Sequence, residues 1–275
     1  MDSVLALLAL VTGVYAHRAA WRERGALLTL LVLDAVAGLL ALVAGIAPET
    51  FGRWMQEDGP AEWATFWAFL LAGALVLTRL KGLFGRRLAL VLAVLLSAFC
   101  LFVAGEEISW GQRLFGFEPP ALFLEKNFQQ ELNVHNFLKG KKLAGLPLDS
   151  RYLVLLVALS YGALLPLLRR LLARRSAPVG QALEAIAPPV WLLPHLLLVA
   201  YAEARYPVVL TGEAAELHLG HCFLAAEGIR RRGVPWRRGM GWVGLALGLG
   251  IGSSLALGPL LARLGAGRVE TARSE

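Results

Sequence analysis

The sequence predicts an all-α, polytopic transmembrane helix bundle of about eight spans. Three observations predict it. The 275-residue chain is 57% hydrophobic and 17% charged, with a mean hydropathy of +0.60, whereas soluble domains are about 45–50% apolar and about a quarter charged. The excess falls in long blocks free of Lys and Arg, and roughly 20 residues of helix cross the hydrocarbon core. The blocks do not alternate in polarity, which excludes the strands of a membrane barrel.

Span 1 covers 2–16 and is short, so the count becomes seven if it does not cross. Span 2 covers 26–46 and carries Asp34. Span 3 covers 61–79, and Asp58 is expected to cap its N-terminus, with Glu62 in the first turn where the helix dipole favours negative charge. Span 4 covers 88–106; its stretch Leu88–Ala104 has no charge, and it ends on Glu106-Glu107. Span 5 covers 152–168. Span 6 covers 186–203 and is broken by Pro188, Pro189 and Pro194. Span 7 covers 208–228, with Thr211 as a candidate cap. Span 8 covers 240–262 and holds Gly244, Gly248 and Gly252 at intervals of four. Such a face suits close packing within the bundle, with a homo-oligomer seam as the alternative. The openings Asp58-Gly-Pro-Ala-Glu62 and Thr211-Gly-Glu-Ala-Ala-Glu216 hint at an internal repeat.

The net charge is +7, and its placement decides its meaning. Arg18, Arg22 and Arg24 follow span 1. Arg79, Lys81, Arg86 and Arg87 separate spans 3 and 4. Arg169, Arg170, Arg174 and Arg175 follow span 5, and Arg230, Arg231, Arg232, Arg237 and Arg238 separate spans 7 and 8. These alternate connections hold more than half of the 27 basic residues, which is the positive-inside pattern. The basic balance therefore reports topology and argues against nucleic-acid binding. It predicts a cell-membrane protein with both termini extracytoplasmic and membrane lipid as its partner. The basic cluster comes after the first apolar run, which disfavours a cleavable signal. Cys100 and Cys222 lie inside spans and read as small buried apolar residues.

One helical membrane domain, 1–275, is expected. Its longest polar interval, 105–151, falls on the outer side. Within 120–139, Leu124, Phe128, Leu132, His135 and Leu138 recur at helical spacing, which predicts an amphipathic helix that is interfacial or re-entrant.

Glu106 and Glu107 stand out because a span exit is costly for carboxylates and the negative end of a helix dipole is a poor place for them. Capping does not explain them. An ion pair with Arg113 or contact with solvent is the structural explanation. The functional one is that one carboxylate ionises while the other keeps its proton, as a general acid–base pair does. On this reading Glu106, Glu107 and His135 are catalytic. Gln112, Arg113, Asn133, Asn136, Glu57, Asp58, Glu62, Glu213 and Glu216 are substrate-binding. His218 and His221 are three residues apart and are the candidates for a divalent metal, but Glu213 and Glu216 point to another sector of the helix, so ligand spacing does not indicate one.

The runs Gly105-Glu-Glu-Ile-Ser-Trp-Gly-Gln-Arg113 and Asn127-Phe-Gln-Gln-Glu-Leu-Asn-Val-His-Asn136 resemble a group of uncharacterised bacterial multi-pass membrane proteins. The resemblance implies a shared polar hallmark and no activity. Glu106-Glu107 also opens like the E-E-x-x-x-R of prenyl-protein-processing glutamate intramembrane proteases, but Arg113 lies two residues too far along. His218-Leu-Gly-His221 is one residue short of the late H-x-x-x-H of the zinc hydrolases that include alkaline ceramidases. Neither activity is carried over. The residues themselves favour a membrane-embedded hydrolase or transferase acting on a lipid or lipid-linked substrate. The alternatives are a proton- or cation-coupled transporter, suggested by Asp34, Glu213, Glu216 and the broken span 6, and a non-catalytic accessory subunit.

Overall fold

The structure is a computed structural model that describes residues 2–21, 24–127, 129–138, 141–143, 146–148, 150–205, 211–230 and 237–274. Arg22, Phe128, Arg231 and Arg232 lie outside the described residues, as do the side chains of Arg24, Thr211, Arg237 and Arg238.

In chain order the helices are α1 (Asp2–Ala20), α2 (Arg24–Ile46), α3 (Pro48–Trp54), α4 (Pro60–Arg79), α5 (Arg87–Glu107), α6 (Gln112–Phe115), α7 (Ala121–Lys126) and α8 (Val134–Leu138). An antiparallel hairpin follows, β1 (Lys141–Leu143) and β2 (Leu146–Leu148), with Lys141 opposite Leu148. Then come α9 (Ser150–Leu159), α10 (Leu165–Leu172), α11 (Ala177–Ile186), α12 (Leu193–Arg205), α13 (Thr211–Arg230) and α14 (Arg237–Ser274). The protein is thus a helical integral membrane protein.

Among the described residues, five helical stretches are long and apolar enough to cross a membrane: Gly25–Ile46, Pro60–Leu83, Arg87–Glu107, Ser150–Leu172 and Gly241–Leu261. A bent pair, Ala177–Ile186 with Val190–Ala204, makes a sixth, and it turns by 43° where Pro188 and Pro189 sit. Two of the eight expected spans do not meet that measure. The apolar part of α1 is short, Leu7–Ala20. α13 is long enough but carries Glu213, Glu216, His218, His221 and Glu227 within its length. Its position accounts for this, because nearly every residue from Ala215 to Gly228 is buried by neighbouring helices. A helix sheltered by protein does not meet the lipid and can hold polar groups that a lipid-facing helix cannot.

α4 and α13 form the centre, packed on each other, with α5 and α14 against α4 and α12 against α13. The two run parallel: Glu62 and Glu213 are near each other at their starts, and Arg79 pairs with Glu227 at 2.8 Å near their ends. The core between them holds Phe69, Phe99, Tyr161 and Phe223 in contact, with Tyr161 stacked on Phe223 at 4.0 Å. In the span Ser150–Leu172 a π-helical stretch, Ser160–Leu164, separates α9 from α10. Pro166 has no N–H to return to residue 162, and the ladder widens to absorb the loss.

The molecule therefore has two polar ends. The acidic end gathers the starts of α4 and α13 with the end of α5. At the basic end, Arg230 also pairs with Glu227, at 3.1 Å, and donates to the carbonyls of Glu184 at 2.5 Å and of Ala187, while Arg79 donates to the carbonyl of Ala185 at 2.7 Å.

The glycine stripe of α14 behaves differently from the expectation of packing within the bundle. A Cβ built on Gly244, Gly248 or Gly252 would meet nothing within 4 Å. The contact with α4 is made instead by Gly250, where a Cβ would stand 2.5 Å from the Cβ of Ala64.

Candidate functional site at the acidic end

α5 ends in a reversal of backbone hand. Ser109, Trp110 and Gly111 take φ values of 46°, 54° and 77° in succession, and the N–H of Gly111 bonds the carbonyl of Ile108 at 2.8 Å. Left-handed residues other than glycine each cost about 1–2 kcal/mol. The non-glycine residues with positive φ among the described residues are Asp58, Ser109, Trp110 and Gln130, and all belong to this end of the molecule.

The reversal sends three side chains to specific partners. The Trp110 indole folds back over Gly105, where a Cβ would sit 2.9 Å from the ring, and donates to Glu106 Oε1 at 2.8 Å. Ser109 donates to Glu131 Oε2 at 2.5 Å. Arg113 turns inward and pairs with Glu57 at 3.1 Å, Asp58 at 2.8 Å, Glu62 at 3.4 Å and Glu131 at 3.3 Å. Arg113 thus binds the start of α4 to the polar segment and leaves Glu106 and Glu107 without the ion pair expected as their structural explanation.

Glu106 is a cap after all, for a different helix. Its Oε2 accepts the N–H of Val134 at 2.5 Å and of His135 at 3.1 Å, the first residues of α8, and lies 3.7 Å from His135 Nδ1. The carboxylate that is misplaced at the end of α5 is well placed at the start of α8. Asp58, expected to cap α4, does not: Gly59 is the N-cap and makes no side-chain bond. The Asp58 side chain goes to Arg113, and its N–H donates to Glu62, which reaches back from the first turn.

The interval 120–139 does not form one amphipathic helix. α7 and α8 are short, and the amides between them fold a loop. Asn127 Nδ2 donates to the carbonyls of Glu131 at 2.7 Å and Asn133 at 2.9 Å, and its Oδ1 accepts the N–H of Gln129 at 2.9 Å. Asn133 caps α8 through the N–H of Asn136 at 3.3 Å and donates to Ser109 at 2.9 Å and Glu131 at 3.1 Å. Asn136 donates to Gln129, and Gln112 accepts the N–H of Leu132 at 2.7 Å. Asn, with its affinity for local backbone bonds, breaks the helical periodicity of the apolar residues.

Burial pushes the Glu131 carboxyl up to about 7, with Arg113 and Ser109 opposing. Burial likewise raises Asp58, against the pull of Arg113. Burial works against the charge of Arg113, but Glu131, Glu62, Asp58 and Glu57 more than offset it and hold its guanidinium above the usual range.

Beside this frame lies a cavity of about 230 Å³ between α4, α5, α8, α9 and α13. One end is lined by Glu106, Glu107, His135, Glu216 and Ser150, the other by Phe69, Phe99, Phe102, Leu153, Val154 and Val157. Glu213, Glu216 and Glu62 lie near enough to Glu107 to act on its charge. The expected site residues are therefore brought to one end but divided in two. Arg113, Glu57, Asp58, Glu62, Gln112, Asn133 and Asn136 build the frame. Glu106, Glu107, His135 and Glu216 line the cavity.

His218 and His221 take separate partners. His221 Nδ1 donates to the carbonyl of Leu217 at 2.7 Å. His218 Nε2 lies 3.0 Å from His195 Nδ1, His195 Nε2 lies 3.6 Å from Asp34, and Asp34 lies 2.8 Å from His17 Nε2. Among the described residues no three His, Cys, Asp or Glu side chains gather as a metal ligand set.

Sequence reasoning missed Ser109, Trp110, Asn127 and His17. The signal for the first two was present, since Ser-Trp-Gly directly after a helix is a turn pattern. His17 lies just past the expected end of span 1, beside Arg18, where no signal in the sequence sets it apart. Comparison with protein-family models, curated proteins and solved structures finds no match.

Proposed function

We propose that the protein is a membrane-embedded hydrolase or transferase that acts on a lipid or lipid-linked substrate in the cavity beside Glu107. The observation that carries this reading is the polarity of that cavity, with carboxylates and a histidine at one end and aromatic and aliphatic walls at the other. An amphiphile with an apolar chain and a reactive polar head has that shape of polarity. The roles divide between the two glutamates. Glu106 is committed to three N–H donors and acts as a positioning residue that fixes α8 and His135. Glu107 is the general base, with His135 as its proton partner. Grouped carboxylates in a partly dry space share protons, which suits acid–base work. The positive-inside pattern puts the acidic end outside the cell membrane. The likeness of Gly105–Arg113 to other membrane proteins then reflects the frame that holds this cavity.

The test is incubation of the purified protein with a bacterial polar lipid extract, read by mass spectrometry against protein-free controls. Depletion of one lipid class, abolished by Glu107→Gln, supports the reading. No change in any species, or equal change with the variant, overturns it.

A further inference from the structure

We propose a proton path that runs through His218, His195, Asp34 and His17, separate from the carboxylate cavity. These residues come from four helices, α13, α12, α2 and α1, and each meets the next: 3.0 Å, 3.6 Å and 2.8 Å. His218 and His195 are buried, while Asp34 and His17 meet on the partly exposed face of α1 and α2. Titratable groups along membrane-spanning helices are costly and call for a reason.

Hydrogen-bond chemistry gives the chain a direction. His17 Nδ1 donates to the carbonyl of Gly13 at 2.9 Å, so its Nε2 would be an acceptor in the neutral ring. It faces the Asp34 carboxylate, which also accepts. The pair therefore holds one extra proton, on either the imidazole or the carboxyl. His195 Nε2 faces the same carboxylate and serves as donor, which makes His195 Nδ1 an acceptor for the N–H of His218 Nε2. The Nδ1 of His218 is left with a free lone pair, buried and without a hydrogen-bond partner among the described residues. That is the receiving atom of the chain.

One end of the chain is buried at His218 and the other is partly exposed at His17. His218 forms part of the wall of a second cavity, of about 250 Å³, between α2, α3, α12 and α13. Ala44, Phe51 and Ala214 line it near the acidic end, and Ala37 and Leu198 line it deeper. Apart from His218 the lining is apolar, and His218 Nδ1 is itself buried, so proton entry waits on transient hydration of this space. At the far end, α1 packs through Ala16 and Ala20 against Trp191, a few residues beyond Ala187 of the basic end. His17 lies in the last turn of α1 and is partly exposed.

The transfer balances. A proton joins His218 Nδ1, and the Nε2 proton of His218 passes to His195 Nδ1. The Nε2 proton of His195 passes to Asp34. Once neutral, Asp34 no longer holds the imidazolium of His17, whose Nε2 proton leaves at this partly exposed contact while Nδ1–H stays on the Gly13 carbonyl; the Asp34 proton then passes to Nε2. One proton is taken up and one is released, with no change of oxidation state. The rings of His218 and His195 return to their first tautomers by rotation.

The experiment uses the full chain in liposomes that enclose a pH-sensitive dye, with a potassium diffusion potential set by valinomycin. Protein-dependent proton flux is expected, reduced at least ten-fold by Asp34→Asn and by His195→Gln. The Gln side chain keeps a donor and an acceptor but cannot take up a proton, so a folded variant without flux separates conduction from packing. His221→Phe, outside the chain, retains flux. Wild-type liposomes no faster than empty ones overturn the proposal, as does undiminished flux in both folded variants. Lipid turnover is read in a different assay, so failure of one reading leaves the other standing.

Discussion

The carboxylate of Glu106, at the end of α5, accepts the backbone N–H of Val134 at 2.5 Å and so caps a helix that begins 28 residues later. Glu106 and neighbouring Glu107 both line the cavity. The two differ in their bonds: Glu106 accepts three N–H donors, and Glu107 is the general base of the proposed function.

This difference predicts opposite results for the two. Glu106→Ala removes the acceptor of three part-buried donors, on Val134, His135 and Trp110, each bond worth about 1 kcal/mol net. Its thermal midpoint in detergent should fall by several degrees, at about 2–4 °C per kcal/mol for a chain of this order of size. Glu107→Gln should leave the midpoint unchanged while ending lipid turnover. Equal midpoints for the two variants would remove the assignment.

Glu131 makes the acidic end sensitive to pH. Its carboxyl is raised from an ordinary 4.5 to about 7, so the folded protein binds more protons than the unfolded one between those values. Stability is then fully present below about 4.5 and declines as pH rises through about 7, by up to about 3 kcal/mol. Asp58 acts in the same direction. Thermal unfolding from pH 4.5 to 8 should show the decline, and Glu131→Gln should flatten it. A midpoint that rises over that interval would contradict the buried carboxyl.

Gly111 and Gly116 both have positive φ, 77° and 68°, but differ in their surroundings. A Cβ at Gly111 would stand 2.8 Å from the Phe115 ring, whereas at Gly116 it meets nothing within 4 Å. Gly116→Ala should cost only the backbone term of about 1–2 kcal/mol. Gly111→Ala should cost clearly more, measured by the same unfolding assay. If the two cost the same, the Ser109–Gly111 reversal is looser than its geometry.

At the basic end, Glu227 is fully buried between Arg79 and Arg230. Glu227→Gln should destabilise by about 3–5 kcal/mol, since it leaves buried cations unmatched. Adding Arg79→Gln should restore part of the loss, and additive losses in the double variant would show that the pair is not coupled.

Much of this was legible in the sequence. Hydropathy and the spacing of arginines locate the helices and the two polar ends, because burial in lipid is a local property of composition. The prolines of 188–194 mark the bend. The expected span 208–228 rests on its apolar residues, yet only its neighbours make so polar a helix tenable in the interior. What a residue accepts or donates across the fold was not legible. Glu106 looked misplaced because its partners, Val134 and His135, follow in another element. The bonds of Asn127 and Asn133 within a folded loop depend on the path of the chain, which the apolar spacing of 120–139 does not encode.

The clasp of Arg113 has a consequence for how the chain is made. Glu62 and Asp58 precede Arg113 by 51 and 55 residues, about 3–10 s of synthesis at roughly 5–20 residues per second. During that interval the mouth of α4 enters the bilayer surface with its carboxylates unmatched, and Glu131 arrives later still. A nascent chain halted before Arg113 lacks the guanidinium that joins Asp58 and Glu62 in the folded protein, so this clasp closes only after α5 has been made.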